Sequence, residues 1–211
     1  MSNTTSLDLA ALLCSRVCHD VVGSVGAIAN GLEVLDEEKD PEMRKFAEDL
    51  VRKSAAQASA KLTFSRIAFG ASGGADSEID LGDAKDRAEK LMGFEKPNLV
   101  WDMPHLMRPK NEVKLLLNLI LVALTAVPRG GDIIVRMEND TDLVLECTGR
   151  AARLPQHNEV FDAAPQSLES LDGVSAHSVQ PIYAAMLAQS CNLKVTFQLT
   201  DETVFIRAVP V

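Results

Sequence analysis

His19 is the residue of this sequence best suited to chemistry, because an acidic residue, Asp20, follows it directly and three glycines come soon after. The stretch from Cys18 to Gly31 reads CHDVVGSVGAIANG. The Asp20 carboxylate can accept a hydrogen bond from one imidazole nitrogen, which would hold one tautomer and leave the other nitrogen as a nucleophile. The same stretch has helical apolar spacing, where each interior glycine costs roughly 1 kcal/mol relative to alanine.

The helical period places His19 opposite the apolar stripe of its helix. At about 100° per residue, Ile28 falls about 180° from His19, among other apolar side chains. The side of His19 carries mostly small or polar residues, which are Ser15, Gly23, Gly26, Asn30 and Glu33, with Leu12 as an exception. We therefore expect His19 to be exposed. Gly23 and Gly26 remove bulk where another protein would approach, whereas Gly31, at about 120°, allows close packing within the bundle.

Two cysteines precede the histidine in the sequence CSRVCH, which raises the question of a haem or metal site. Haem attachment uses Cys-x-x-Cys-His, with one residue fewer between the cysteines. Cys14 and Cys18 lie at about 220° and 260° on the helix, a poor arrangement for binding a metal together with His19. We expect no metal site, and we expect the four cysteines to be small, reduced, buried hydrophobic residues, namely Cys14, Cys18, Cys147 and Cys191.

The helix that carries His19 is predicted to run over about 30 residues, from Ser6 or an earlier threonine as N-cap to Glu37. The segment DEEKDPE ends it, and Pro41 is placed for the first turn of a second helix that reaches about Phe69. A two-helix hairpin covers its apolar stripes poorly, so we expect residues 6–70 of two copies to form a four-helix bundle, in a homodimer.

A second unit with helices and strands follows a glycine-rich stretch, GASGGADSE, that is typical of a linker. Beyond it the sequence predicts helices in LGDAKDRAEKLM, PKNEVKLLLNLILVALTAV and VQPIYAAMLAQSCN. Strands are predicted in NLVWDM, DIIVRME, DLVLEC, LKVTFQL and TVFIRAV, with a turn at Asn139 and Asp140. We predict an α+β fold with a hairpin at 1–70, a linker at 71–78 and an α/β sandwich at 79–211 whose helices cover one face of a mixed sheet.

Composition and charge exclude several classes of protein. Hydrophobic residues make up 46% and charged residues 24% of the chain, as in soluble globular proteins. The net charge of −9 argues against nucleic acid as a partner.

The apolar run 113–127 contains Lys114 and Asn118 and is too short to span a bilayer, so it predicts a buried helix. The N-terminus lacks the features of a secretory signal, and we expect a cytoplasmic protein without a membrane segment.

A histidine followed by an acidic residue, on the first helix of a dimerising hairpin, resembles the H-box of two-component histidine kinases. The predicted sandwich resembles their ATP-binding domain. CHDVVGSVGAIANGLEVL and the second-domain sequence are more closely similar, over essentially the whole chain, to the histidine phosphotransferases of the ChpT type from alphaproteobacteria. This resemblance implies a phosphotransferase of two-component signal transduction, with a phosphohistidine intermediate at His19 and with Asp20 orienting the imidazole.

The motifs that bind nucleotide in the kinases are degraded in this chain. The second asparagine of N-L-x-x-N-A binds magnesium, but NLILVA places Val122 at that position. In place of D-x-G-x-G, the stretch LECTGRAA has Glu146 or Cys147 near the aspartate position and keeps Gly149. The loop G-x-G-L-G-L is replaced by DGVSAHSV, with the single Gly173. Since transfer from ATP depends on positioning and on cations at the phosphates, we expect no ATP binding, no autokinase activity and no bound cofactor, only a degenerate kinase-like domain.

The predicted mechanism is one step of a phosphorelay. A receiver domain phosphorylated on aspartate docks on the bundle, neutral His19 attacks the phosphoryl group, and the phosphohistidine passes it to the aspartate of a second receiver. Magnesium comes with the receivers. The residues expected to contact them are Arg16, Gly23, Gly26, Asn30, Arg150 and Arg153.

By the resemblance, the donor is the receiver of a hybrid histidine kinase. The acceptors are response regulators that include a DNA-binding cell-cycle regulator and a single-domain receiver. Two alternatives remain open: an ATP-dependent histidine kinase core, and a non-catalytic dimeric docking module in which His19 is idle.

Overall fold

The computed structural model of the chain describes residues 2–70, 77–162, 174–176 and 178–211, with side chains from residue 6 onward. It begins with the predicted helical hairpin, in which α1 spans Ser2–Glu37 and α2 spans Pro41–Ala68. α1 starts earlier than expected, so Ser6 lies inside the helix and is not its N-cap. Asp40 caps α2 by accepting a hydrogen bond at 3.1 Å from a backbone amide of the first turn, where Pro41 stands as predicted.

Small residues let the two helices of the hairpin approach closely. The buried positions of α1 are Val21, Ser24 and Gly31, and a Cβ added at Gly31 would lie 2.6 Å from Val51 Cγ2. Ser24 Oγ donates to Gln57 Oε1 at 3.1 Å across the pair. Several buried positions of α2 are also small, among them Ala47, Ser54 and Ala58. Gly31 therefore serves close packing, as its position on the helix predicts.

The remainder of the described chain is the predicted mixture of helices and strands. Its helices are α3 (Leu81–Met92), α4 (Lys110–Ala126), a short 3-10 helix (Asn158–Phe161) and α5 (Val179–Ser190). Its strands are β1 (Glu78–Asp80), β2 (Asn98–Asp102), β3 (Met107–Pro109), β4 (Asp132–Glu138), β5 (Asp142–Thr148), β6 (Leu193–Thr200) and β7 (Thr203–Pro210).

Five strands form one mixed sheet in the order β2-β4-β5-β7-β6. β2 pairs with β4 in parallel, and the other pairings are antiparallel. Asn139, Asp140 and Thr141 join β4 to β5, and the first two have φ of 52° and 62°, which is the left-handed backbone of the tight hairpin turn that the sequence predicts there.

Two short strands, β1 and β3, were not predicted, because three residues are too few to show a period. They pair with each other outside the main sheet. Glu78, assigned to the linker on sequence, therefore begins a strand. Most of the predicted linker, residues 71–76, lies outside the described residues, as do residues 163–173 of the predicted loop.

One hydrophobic core joins the end of the hairpin to the second unit. Phe64 and Ala68 of α2 are 2% and 0% exposed and belong to the same cluster as α3, α4 and the inner face of the sheet. α4 is buried along most of its length, as its apolar sequence predicts. The outer face of the sheet carries an ion network instead, in which Arg136 pairs with Glu138 at 3.0 Å and with Glu146 at 2.8 Å. The helices thus cover one face of the sheet.

Candidate functional site

His19 lies on the exposed side of α1, with 54% of its side chain accessible. Asp20 Oδ1 is 3.6 Å from His19 Nδ1, which is too long for a hydrogen bond but close for a charge. Asp20 Oδ2 accepts a hydrogen bond at 2.8 Å from Arg16 Nε, one helical turn away. The carboxylate is therefore held by Arg16 while it faces the imidazole, and the orienting hydrogen bond predicted from Asp20 is not formed in this structure.

Two glycines leave open space next to the histidine. A Cβ added at Gly23 or at Gly26 would meet nothing within 4 Å. Asn30, one turn beyond Gly26, is exposed as well. Gly23, Gly26 and Asn30 form a surface with few projecting side chains, the low surface, which extends from His19 towards the hairpin loop. Gly31 instead faces α2.

A cleft of about 210 Å³ opens beside Asp20, between the hairpin and the second unit. Arg16, Asp20 and Lys61 line its hairpin side. Its remaining lining is mostly apolar and comes from α2, α3, α4 and the segments that follow them: Phe64, Ser65, Phe69, Leu91, Glu95, Leu121, Leu124 and Thr125. The face of α1 that carries His19 is thus continuous with a cleft that both units build.

Lys61 and Glu95 are cleft residues that sequence reasoning missed. Lys61 Nζ donates to the backbone carbonyl oxygen of Asp20 at 2.9 Å. Desolvation raises the pKa of the Glu95 carboxyl above its ordinary value, the nearby Asp20 raises it further, and Lys61 opposes this. The signal for Lys61 was its isolation in SAAQASAKLTF, where a lone lysine stands among small residues. The sequence contains no comparable signal for Glu95.

The predicted contact arginines take different places. Arg16 is half-buried and paired with Asp20, so it borders the histidine rather than projecting from it. Arg150 and Arg153 are exposed in the loop after β5. The Arg153 amide donates to the Ala126 carbonyl oxygen at 3.0 Å, which fixes this loop to the C-terminal end of α4. Ala126 follows Thr125, which lines the cleft, so the loop is attached to α4 next to the cleft lining.

The residues at the degraded nucleotide motifs serve the core and the outer face of the sheet. Val122 is 2% exposed inside the hydrophobic core. Cys147 points into the same core, and burial raises its pKa to about 12. Glu146, its neighbour on β5, points to the outer face and pairs with Arg136. Gly173 lies outside the described residues.

The cysteines of α1 correct one prediction. Cys147 is buried, but Cys14 and Cys18 are exposed and Cys191 is partly exposed. The reason is that the sides of α1 at about 220° and 260° from His19 are not covered by α2. Within the described ranges, no cluster of three or more His, Cys, Asp or Glu side chains could hold a metal ion.

α1 also carries exposed apolar residues near these cysteines, among them Leu7, Val22, Val25 and Leu32. By length and composition alone, Ser6–Glu37 is a helix that could cross a membrane. The run 113–127, by contrast, forms most of α4 and is largely buried. An apolar stripe of this kind equally suits a helix that packs against a second hairpin.

Comparison with known proteins agrees with this geometry. The family model described as the histidine phosphotransferase C-terminal domain matches residues 81–203. The protein phosphotransferase ChpT of Brucella abortus (strain 2308) is 44% identical over 207 residues, which cover 97% of this chain and 96% of that protein. A solved bacterial phosphotransferase shares 42% identity with a TM-score of 0.83, over 99% of this chain and 97% of that one. The predicted family and the α+β fold are confirmed, and this chain belongs to the histidine phosphotransferases.

Proposed function

We propose that this chain transfers phosphoryl groups between receiver domains of a phosphorelay, through a phosphohistidine at His19. The observation that carries the proposal is an exposed histidine beside a carboxylate, on a helix face where Gly23 and Gly26 leave open space. Membership of the phosphotransferase family supports the same chemistry.

In the first step, the imidazole attacks the phosphorus of an aspartyl phosphate on the donor. A nitrogen–phosphorus bond forms, the bond from phosphorus to the carboxylate oxygen breaks, and the carboxylate leaves with the electron pair. We take Nε2 as the attacking atom, since Nδ1 is the ring nitrogen that lies on the side of Asp20. The Asp20 charge stabilises the cationic phosphoimidazolium. The acceptor's aspartate then attacks the phosphorus and the imidazole leaves.

The receiver is expected to dock on the low surface formed by Gly23, Gly26 and Asn30, with Arg16 at its border. Arg150 and Arg153 would contact an acidic part of the same receiver, since their loop is attached to α4 next to Thr125, which lines the cleft. The resemblance stated above suggests the receiver of a hybrid histidine kinase as donor, and cell-cycle response regulators and a single-domain receiver as acceptors. Magnesium would come with these receivers.

The dimer is a further part of the proposal. Val25 and Phe46 are 52% and 65% exposed on the two helices of the hairpin, and a second hairpin would cover them. Two hairpins that pack in this way form a four-helix bundle, in a dimer that we propose to be cytoplasmic. Val25→Glu should dissociate the dimer, as measured by light scattering after size-exclusion chromatography. Asn30→Glu, which adds the same charge outside the stripe, should leave the mass unchanged.

We further propose that the chain neither binds ATP nor phosphorylates itself. The burial of Val122 in the core and the ion pairing of Glu146 on the outer face support this, because neither side chain is placed to contact a nucleotide. Calorimetric titration with ATP and magnesium should show no binding. A micromolar dissociation constant for ATP would instead favour the alternative of an ATP-dependent histidine kinase core.

Radiolabelled phosphoryl transfer tests the central proposal. The chain is mixed first with labelled ATP alone and then with a labelled phospho-receiver, and both are repeated with His19→Ala. Label should pass only from the receiver, and His19→Ala should abolish the transfer. His105→Ala is the matched control, since this histidine is also exposed but lies in the other unit, and it should behave as the wild type. Label acquired from ATP alone would favour a kinase, and no label from any receiver would favour a docking module.

A further inference from the structure

A buried polar network ties the end of α2 to the second unit. Asn118 of α4 is 0% exposed, and its Nδ2 donates to the carbonyl oxygens of Ala68 at 3.0 Å and of Lys114 at 2.8 Å. Gln180 Nε2 of α5 donates to Asn118 Oδ1 at 3.2 Å and to its backbone oxygen at 2.8 Å. Ala68 is the last residue of α2, so one asparagine side chain joins α2, α4 and α5.

Aromatic and cationic groups surround this network. The Lys114 ammonium lies 5.4 Å from the centroid of the Tyr183 ring, and the Tyr183 and Phe69 rings are 5.9 Å apart. Burial lowers the pKa of Lys114 and raises that of Tyr183 to about 12. Buried polar groups are costly unless they are paired, and a paired network favours one packing arrangement over its alternatives.

The network and the cleft beside Asp20 belong to one helix contact. Asn118, Leu121 and Thr125 are spaced i, i+3 and i+7, so they lie on one side of α4, and the last two line the cleft. On α2, Lys61 stands about two turns before Ala68 on nearly the same side, and it donates to the Asp20 carbonyl oxygen. A rotation of α4 against α2 at Asn118 would therefore change the cleft next to the phosphoacceptor.

We propose that Asn118 is a positioning residue for phosphoryl transfer. It fixes the second unit against the hairpin, so that a receiver docked at His19 meets the loop of Arg150 and Arg153 in a single orientation. Asn118 touches neither the phosphoryl group nor the receiver and acts through Ala68 and α4. The inference rests on the function proposed above.

Two phosphodonors separate positioning from folding. Asn118→Leu keeps the number and branching of the side-chain heavy atoms and removes the side-chain hydrogen bonds. Phosphoramidate, a small donor, needs only a reactive His19, and the rate of phosphohistidine formation from it should stay within about twofold of the wild type. The second donor is the phosphorylated receiver that transfers fastest to the wild type among those of the same genome. With this receiver as donor, the kcat/KM of Asn118→Leu should be about tenfold below that of the wild type, mostly because KM is higher.

Val204→Ala is the control for lost stability, because it weakens the core at the sheet, away from the α2–α4 contact. It should slow neither reaction at a temperature where both variants are folded. Equal losses with both donors, or the same pattern in Val204→Ala, would overturn the inference. If Asn118→Leu does not fold, Gln180→Leu replaces it and should show a smaller loss of the same kind.

The two proposals fail in different ways. A wild-type chain that accepts no phosphate from any receiver contradicts the proposed function. A wild type that accepts phosphate at the same rate as Asn118→Leu contradicts only the role of Asn118. Amide hydrogen exchange gives an independent readout, since Asn118→Leu should speed exchange in the last turn of α2 and leave the central strands unchanged.

Discussion

Lys61 Nζ donates to the Asp20 carbonyl oxygen at 2.9 Å and so joins α2 to α1 at the residue that follows His19. This carbonyl lies within α1, whose own backbone hydrogen bonds already use such groups, so Lys61 adds a second donor. The ammonium also lies near the charges of Asp20 and Glu95. Lys61 thus helps to fix both the helix position and the electrostatic surroundings of His19.

Replacement of Lys61 by methionine should weaken this connection. Methionine retains the length of the apolar stem but not the donor, and one hydrogen bond contributes about 1 kcal/mol to stability. We expect a lower free energy of unfolding by about that amount, measured by urea denaturation, and slower transfer from the phospho-receiver. Lys53→Met, on an exposed position of the same helix, should change neither. An unchanged transfer rate in Lys61→Met would show that this connection has no part in the reaction.

The glycines of α1 should separate stability from docking. Gly23→Ala meets open space, so the better helix propensity of alanine should stabilise the chain by about 1 kcal/mol. It should at the same time raise the KM for the receiver, since a methyl group would occupy the docking surface. A stabilised variant with an unchanged KM would contradict the docking role.

Gly31→Ala is expected to do the opposite. Its added Cβ would lie 2.6 Å from Val51 Cγ2, and overpacking of this kind costs about 1–3 kcal/mol. The free energy of unfolding should fall, whereas the KM for the receiver should stay unchanged once the protein is folded. Both glycine variants can be followed by the same denaturation and transfer assays.

Periodicity predicted the hairpin, the main strands and the exposed side of His19, because each depends on a repeat that is local in the sequence. It could not place Lys61 beside Asp20, since the two are 41 positions apart and meet only when α1 and α2 pack in one register. Nor could it show which side chain binds the Asp20 carboxylate, because Arg16 and His19 are both within its reach on the same helix. In the structure, Arg16 forms the hydrogen bond. The burial of Cys14 was overestimated because the helix pattern does not say which apolar stripe a single hairpin covers.

Thiol labelling should report on the dimer. Cys147 is buried with a pKa of about 12, so it should not react with a disulfide reagent at neutral pH while the protein is folded. Cys14 and Cys18 are exposed on the single chain and lie beside the stripe assigned to the partner hairpin. Their labelling rate should therefore fall as the protein concentration rises. In Val25→Glu the rate should be high at every concentration, and a rate independent of concentration in the wild type would contradict this interface.

Glu95 gives the stability of the fold a pH dependence that can be tested with Glu95→Gln. The pKa of its carboxyl is raised from the ordinary value of 4.5, chiefly by desolvation. At pH 7 the carboxyl is ionised in the unfolded chain, and the folded state bears the cost of holding that charge in the cleft. Well below pH 4.5 the carboxyl is protonated in both states and the cost disappears.

Glutamine resembles the protonated carboxyl, so Glu95→Gln should raise the melting temperature at pH 7, and the gain should shrink to nothing as the pH falls below 4.5. The matched control is Glu89→Gln, an exposed glutamate on α3 that should show no such pH-dependent gain. If Glu95→Gln instead lowered the melting temperature at pH 7, attraction to Lys61 would outweigh desolvation. The carboxylate would then stabilise the cleft beside Asp20 rather than destabilise it.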